Sequence, residues 1–386
     1  TRNSDLFVDG EEVDDLLRAL EGELSSRHYG DAVRLEVGQD CPAELSAFLS
    51  SQFRVAREDI YYCNGPVNMM RLAAIPDLVE RSDLKFPGFN PGIPASLQPG
   101  VDIFSSIRDG DILLHHPFES FVPFIEFLRQ AAADPKVLSI RQTLYRTGAD
   151  SAVVEALVDA AHQGKEVLVV IELRARFDEE ANIELATLLQ NAGVQVVYGV
   201  VHHKTHAKMS MVIRRESRSL RRYVHLGTGN YHARTARAYT DYGLFTCDAA
   251  IGEDVQEIFG QLTTMGRAGR LKKMLQSPFT LHRSMLDFID FEIGQAELGK
   301  PAWVRAKMNS LIEPQIIQAL YRASQAGVKV DLVVRGVCAL RPGIKGISQN
   351  IRVRSIIGRF LEHTRLFAFA NAGSTRVFLS SADWMG

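Results

Sequence analysis

Cysteine is scarce in this chain. Cys41, Cys63, Cys247 and Cys338 are the four in 386 residues, and they stand apart from one another. With no C-x-x-C pair there is neither a disulfide framework nor a thiolate metal site to expect, and a reducing, cytoplasmic compartment is the simplest reading. Long apolar runs are missing too. None approaches the ~18 residues that a membrane-crossing helix needs, and no stretch reads as a signal peptide. Charge of one sign is not in excess: 44 Lys and Arg against 46 Asp and Glu give a net charge of −2, which argues against a generic nucleic-acid binder. Low-complexity sequence is absent, and a hydrophobic share of 46% describes an ordinary globular chain long enough for two to three domains.

What the chain does have is one half-site built twice. In the first copy a strand-like run at 194–200 leads to His206-Ala207-Lys208, then an alternating strand at 209–213, then Gly227-Thr228-Gly229-Asn230. In the second, 351–357 leads to His363-Thr364-Arg365, then 366–370, then Ser380-Ser381-Ala382-Asp383. Residues i and i+2 of a strand point to the same face, so histidine and cation face a substrate together. Upstream, each copy reads strand, helix, glycine, strand. The first runs 137–140, 151–163, Gly164 and 167–171; the second runs 304–308, 313–326, Gly327 and 330–334. That is a βαβ module with a glycine closing its helix. A lone H-x-K carries almost no information, but two in parallel context constrain the whole fold.

Three segments follow from the punctuation. Residues 1–95 hold a helix at 13–23, a strand at 33–37 and a helix at 42–53, and they end in a Pro/Gly-rich linker at 86–94. Residues 96–275 carry the first half-site and 276–386 the second, joined by a long helical stretch at 271–298. Between His202 and Arg222 seven cations face the single acid Glu216. The residues at 214–222 read as a hairpin loop, and a solvated tip is favoured over a polyanion-binding surface.

The chemistry points to phosphoryl transfer. Its transition state spreads charge over three oxygens, so fixed cations suit it, and Arg forks fit phosphate oxygens in pairs. A neutral imidazole can attack phosphorus near pH 7, and Lys204 and Lys208 should keep His206 neutral. The acid that orients the other nitrogen of His206 is left open between Glu172 and Asp241. His115 and His116 read as packing, His202 and His203 as surface, and His225 is balanced between core and site. The turn 227–230 offers backbone N–H groups to phosphate. Arg335 ends an apolar strand, where site residues of open α/β sheets gather. Asp178, Glu179 and Glu180 open a helix at 179–192. No Cys/His cluster is present, so a Mg²⁺ would arrive with nucleotide and phosphates.

Longer motifs carry a resemblance. Asp111 to Phe118, Leu144-Tyr145-Arg146, Glu172 to Asn182, Lys204 to Lys208, His225 to Tyr231, Thr235 to Tyr242, Val334-Arg335-Gly336, Leu361-Glu362-His363 and Ser380 to Met385 resemble, in that order, the polyphosphate kinases of the phospholipase D-like type. The match covers the chain from about Asp102 onward and, more weakly, the first hundred residues. It implies an α/β fold of two phospholipase D-like domains behind a smaller α+β domain. It implies an enzyme that moves the terminal phosphoryl group of ATP onto polyphosphate, reversibly, with Mg²⁺ and through a phosphohistidine. His206 matches the phosphorylated residue, with Lys208 beside it. Arg146 and Arg176 match the phosphate and Mg²⁺ site. Tyr239, Arg335 and His363 match nucleotide contacts, with His363 also a proton-transfer candidate. ATP, ADP and inorganic polyphosphate are the implied partners, without nucleic acid. A cytoplasmic homo-oligomer, at most peripherally attached to a membrane, completes the expectation.

Phospholipase D-like diesterases carry an acid five residues after the Lys of H-x-K. Here that place holds Ile213, and the second copy has Arg365 for Lys and Ala370 at the matching position. Loss of the acid disfavours the alternatives of a phosphodiesterase or nuclease, and two intact histidine–cation pairs disfavour an idle polyanion binder. The chain starts at Thr1 and stops just after the second turn, where a copy matching the first would continue. A longer protein is therefore expected, with the family's N-terminal helical domain and the arginine-bearing segment after Trp384 outside this chain.

Overall fold

The computed structural model describes residues 1–2, 30–147, 151–172, 179–199, 203–264 and 269–385. The helix expected at 13–23, together with Arg176, Asp178 and His202, lies outside the described residues. The chain divides into two units, Thr1–Phe89 with Leu173–Ile183 and Asn90–Glu172 with Glu184–Gly386. In the first, strand β1 (Leu35–Gly38) pairs in parallel with β2 (Ile60–Cys63), and helix α1 (Ala43–Phe53) crosses between them. Arg54 takes the left-handed conformation at φ 51° and ends that helix.

The larger unit holds the repeat. Helix α2 (Ile103–Asp109), strand β3 (Ile112–His116) and helix α3 (Val122–Ala133) precede it. Its first copy runs β4 (Val137–Leu144), α4 (Ala152–His162), β5 (Glu166–Ile171), α5 (Glu179–Asn191), β6 (Gln195–Tyr198), β7 (Lys208–Glu216), β8 (Ser219–Gly227), β9 (Tyr239–Thr246) and α6 (Ala249–Thr264). After α7 (Leu281–Glu297), the second runs β10 (Trp303–Met308), α8 (Pro314–Gln325), β11 (Lys329–Val334), β12 (Ile351–Arg354), β13 (Leu361–Glu362), β14 (Arg365–Phe369) and β15 (Arg376–Ser380).

Sheet order exposes the duplication. One sheet contains β8-β7-β4-β5-β6, and the other is β15-β14-β10-β11-β12. In both, three strands run parallel and a hairpin pairs antiparallel on the βαβ side. The fold is α/β, as the repeat predicts. Local chemistry explains why it was readable. The Ser151 side chain caps α4 and the Glu313 side chain caps α8, and Gly164 and Gly327 follow those helices at φ 77° and 96°, backbone angles that a side chain resists. Strand β5 is buried along Val167–Ile171, the mark of a central strand covered on both faces. Met209, Met211 and Val224 pack against Val255, Ile258 and Phe259 of α6. In the second copy Phe367 stacks on Trp384 at 4.8 Å within its own core.

Two expectations are corrected. The helix predicted over 271–298 begins only at Leu281, because the backbone N–H groups of Lys272, Lys273 and Met274 are spent on the Asp254 carboxylate at 2.7–2.8 Å and Pro278 lacks one. The loop predicted over 214–222 is instead a tight hairpin. Strand pairing continues to Glu216 and resumes at Ser219, and Ser217 turns at φ 50°. Arg214 pairs with Asp134 and Glu216, and Arg221 with Glu216, so much of that local positive charge is neutralised where it stands.

Candidate functional site

Both histidines sit two residues before a hairpin strand. Lys208 opens β7 opposite Gly227, and Arg365 opens β14 opposite Ser380, so each small-residue turn stands beside its cation. Strand β13 belongs to the first sheet through its pairing with β9, and β14 belongs to the second. The segment carrying His363 therefore crosses from one sheet to the other, which brings the two half-sites together.

In the first half-site, His206 Nδ1 meets the Ser381 carbonyl oxygen at 3.0 Å. A carbonyl only accepts, so Nδ1 carries the proton and Nε2 the lone pair. Burial first, then the positive charges of Lys208 and Arg365, push the imidazole down to about 3. The neutral form expected from the sequence is favoured, but Lys204 is exposed and burial is the leading cause. Lys208 is 3% exposed, donates from Nζ to the His206 carbonyl and lies 5.1 Å from the centre of the Tyr145 ring. Burial, followed by Arg365, drives its ammonium well below the ordinary lysine range. Tyr145 also packs edge-on against His206 at 5.2 Å.

In the second half-site, His363 Nδ1 donates to both oxygens of Asp241 at 2.8 and 2.9 Å. Its Nε2 accepts from Arg365 Nη1 at 3.0 Å, and because guanidinium cannot accept, this fixes the tautomer. Arg365 also donates through Nη2 and Nε to Asp383 at 2.9 and 3.2 Å. Asp383 in turn accepts from the Asn309 backbone at 2.6 Å. With its amide oxygen turned to Arg365, Asn309 accepts a further bond from Nη2 at 2.6 Å. The Tyr239 ring lies 5.3 Å from the His363 ring, and Arg335 donates to the Glu362 carbonyl at 3.1 Å. On the opposite strand face the Thr240 and Thr364 hydroxyls meet at 3.0 Å, and Lys307 pairs with Glu362.

The two acids left open by the sequence do other jobs. Asp241 holds His363 rather than His206, and Glu172 accepts the Thr205 backbone N–H, which sets the approach to His206. The turn also differs from expectation. The Thr228 N–H is committed to the Tyr242 carbonyl at 3.0 Å, and its hydroxyl donates to Asp241 at 2.7 Å, so Thr228 steadies the acid instead of meeting phosphate. Gly229 is there because a Cβ would fall 2.2 Å from Asp241 Oδ2.

His206, Lys208, His363, Tyr239 and Arg335 are gathered around one locus. Arg146 is exposed at φ 55° and near enough to act on Lys208. Arg176 is outside the described residues. His225 turns out to be core, 2% exposed and bonded through Nδ1 to the Tyr231 hydroxyl at 3.0 Å. His116 is buried, His115 stacks on Tyr242 at 4.6 Å, and His203 is exposed. Sequence reasoning missed Lys307, Thr240 and Asn309. Adjacency to a site residue was the available signal for Thr240, and nothing local marked the other two.

Among the described residues no group of three His, Cys, Asp or Glu side chains is placed to hold a metal. Asp241, Asp383 and Glu362, the described acids nearest this locus, are committed to His363, Arg365 and Lys307. Arginine cannot ligate a cation, so Arg146 and Arg335 suit phosphate oxygens. The donor set does not fit a bare Mg²⁺.

Fold and site define an α/β protein with paired histidine–cation half-sites contributed by two copies of one module. Family models described as "Polyphosphate kinase middle domain", "Polyphosphate kinase C-terminal domain 1" and "Polyphosphate kinase C-terminal domain 2" match residues 1–75, 102–268 and 274–386. The chain belongs to the polyphosphate kinase family. It is similar to the polyphosphate kinase of Pseudomonas aeruginosa, 58% identical over 385 residues, covering 100% of this chain and 56% of that one. It is also similar to that of Pseudomonas syringae pv. tomato, at 60% identity with 52% of the relative covered. Among solved structures, the polyphosphate kinase from Porphyromonas gingivalis superposes with a TM-score of 0.77 at 33% identity, over 91% of this chain and 56% of that one. The chain thus spans about half the length of these relatives. No described helix is long and apolar enough to cross a membrane.

Proposed function

We propose that this chain forms the catalytic part of an ATP:polyphosphate phosphotransferase working through a phosphohistidine at His206. The observation that carries the reading is the His206 imidazole: neutral by burial, with its proton fixed on Nδ1 by the Ser381 carbonyl and its Nε2 lone pair available in a cationic locus. Attack by Nε2 on the terminal phosphorus of ATP forms a P–N bond as the bridging P–O bond breaks, and ADP leaves with the electron pair. In the second step a terminal oxygen of polyphosphate attacks the phosphorus and the P–N bond breaks. Nδ1 keeps its proton throughout, bonded to Ser381. The reverse sequence makes ATP.

The charge of the phosphates in flight is met by Arg365, Arg335 and Arg146, with Arg176 taken from the family match, and Lys208 holds the His206 main chain from behind. When Mg²⁺ is bound, it neutralises the nucleotide phosphates. Tyr239, Arg335 and His363 line the nucleotide side. His363 Nε2 is capped by Arg365, so it handles a proton once that guanidinium turns to a phosphate oxygen. The segments 96–275 and 276–386 are proposed as the two catalytic halves behind a smaller domain at 1–95. A cytoplasmic homo-oligomer rests on the family resemblance.

The test uses γ-labelled ATP with Mg²⁺ on the complete gene product. Wild type is expected to carry acid-labile, alkali-stable protein phosphate and to label long polyphosphate, and His206→Ala to lose both. Cleavage of phosphodiesters without protein label would instead support a phosphodiesterase. Polyphosphate binding that survives His206→Ala, with no turnover in either protein, would leave an idle binder.

A further inference from the structure

The segment that carries His363 is held on its far face by four side chains that the phosphoryl chemistry leaves unused. Thr240 alternates with Tyr239 and Asp241 along β9, and Glu362 and Thr364 flank His363, so all three point away from the site. Lys307 reaches them from β10 of the other sheet. Their protons can be followed one by one. Lys307 Nζ donates to Glu362 Oε2 and, at 2.8 Å, to the Thr364 hydroxyl. The Thr240 hydroxyl donates to the same Glu362 oxygen at 3.2 Å, since a carboxylate only accepts. That spends the Thr240 proton, so Thr364 donates toward Thr240, whose hydroxyl and carbonyl oxygens lie at 3.0 and 3.2 Å. The four groups close a ring, and the His363 backbone N–H hangs on it by donating to the Thr240 hydroxyl at 3.2 Å.

The internal repeat gives an independent reason to read this ring as a device. Lys307 lies opposite Leu366, three residues past His363. In the first copy Gln142 lies opposite Ser210, so the next rung sets Thr143 against Met209, three residues past His206. Thr143 and Lys307 thus hold the same place in the two sheets, and both pin the middle residue of a histidine–x–cation triplet. The Thr143 hydroxyl donates to the Ala207 carbonyl at 2.8 Å and accepts the Met209 N–H at 3.0 Å. There the strand stays within one sheet and a short side chain suffices. In the second copy the strand passes from the first sheet to the second, and the long lysine spans the junction. Thr240 and Thr364 are 4% and 1% exposed, so the ring works where water competes little for its bonds.

We propose that Lys307 is a positioning residue for His363, acting through Thr364, Thr240 and Glu362 to fix the main chain of the crossing segment. Asp241 and Arg365 orient the imidazole, and the ring sets where its backbone stands. The effect on turnover rests on the phosphotransferase reading; the ring itself does not. Lys307→Met keeps the length and removes the donor, whereas Lys307→Arg keeps a donor. The cavity of about 260 Å³ that the ring lines with His115, Tyr242 and Leu366 leaves room for the larger head. Thr364→Val removes the hydroxyl and leaves the Lys307–Glu362 pair in place, so it tests the ring without stranding a charge. Thr364→Ser restores the hydroxyl.

The deciding experiment pairs kinetics with amide hydrogen exchange on the complete gene product. Lys307→Met and Thr364→Val are each expected to lower kcat by about tenfold to a hundredfold with KM for ATP within about threefold, since a misplacement near 1 Å can cost about 10²-fold. Lys307→Arg and Thr364→Ser should stay within about threefold of wild type. Because both residues serve one ring, the Lys307→Met, Thr364→Val double variant should be no slower than the slower single one. The His363 amide should exchange at least about tenfold faster in Lys307→Met and in Thr364→Val than in wild type. Wild-type kcat in both of these variants, equal impairment of the conservative ones, or losses that multiply in the double variant each overturn the positioning role. Unchanged exchange at His363 overturns the ring. If Lys307→Met does not fold, Thr364→Val against Thr364→Ser decides alone. An inactive wild-type product would count against the phosphotransferase reading only, because exchange at His363 still decides the ring.

Discussion

The strongest constraints act on single atoms. Carbonyl and guanidinium groups have one hydrogen-bonding role each, so Ser381 and Arg365 fix the tautomers of His206 and His363, and two imidazoles of the same type are given opposite tasks. His206 presents a lone pair from Nε2, while His363 has its Nε2 occupied and its Nδ1–H held by Asp241. Replacing Asp241 with Asn keeps the shape and removes the charge behind His363. It is expected to lower kcat by about 10²-fold, the scale of a lost acid–base contribution, with KM for ATP little changed. Steady-state kinetics on Asp241→Asn check this, and an unchanged kcat would remove His363 from the chemistry. A pH effect follows from His206. With its folded pKa pushed to about 3, its lone pair stays available as pH falls from 8 to 5, so labelling of this histidine at saturating nucleotide should show no downturn near 6.5.

At the scale of elements, the site depends on where strands begin. Each hairpin starts with its cation paired to the last residue of the returning strand, and the second hairpin locks its cation with an acid from the turn that follows. Arg365 and Asp383 have side chains 7% and 8% exposed, so removing one stranded partner leaves an uncompensated buried charge. Asp383→Ala is expected to cost about 3–5 kcal/mol in chemical denaturation, the usual scale for breaking a buried pair. A loss below 1 kcal/mol would mean that Asn309 alone satisfies Arg365.

Across the whole molecule, buried neutral histidines make stability depend on pH. Folding depresses the pKa of His116, His206 and His225, with burial the first cause in each case. Between the folded values and the unfolded value near 6.5 the unfolded chain binds more protons, so unfolding gains free energy as pH falls. Their stabilisation is complete above about pH 6.5 and is lost progressively below it. Urea denaturation at pH 7.5 and 5.5 should show a fall of at least about 1.4 kcal/mol per pH unit within that window. A flat profile would mean that these rings are solvated in the native state.

The sequence by itself determined the repeat, the α/β class and the pairing of each histidine with a cation, because caps, glycines and strand periodicity are local and survive without a partner. It also brought His206, Lys208, His363, Tyr239 and Arg335 forward through their motifs. Only the tertiary structure decided which acid serves which imidazole, since Asp241 is 122 residues from His363 and Ser381 is 175 from His206. It alone set Lys307 against Glu362, and Asn309 against Arg365. Hydrogen-bond partners across a sheet junction depend on register and on the path of one crossing strand, and no local pattern encodes that. For the same reason the helix expected over 271–280 gave way to a loop wrapped on Asp254, a carboxylate whose reach appears only once the chain has folded back on itself.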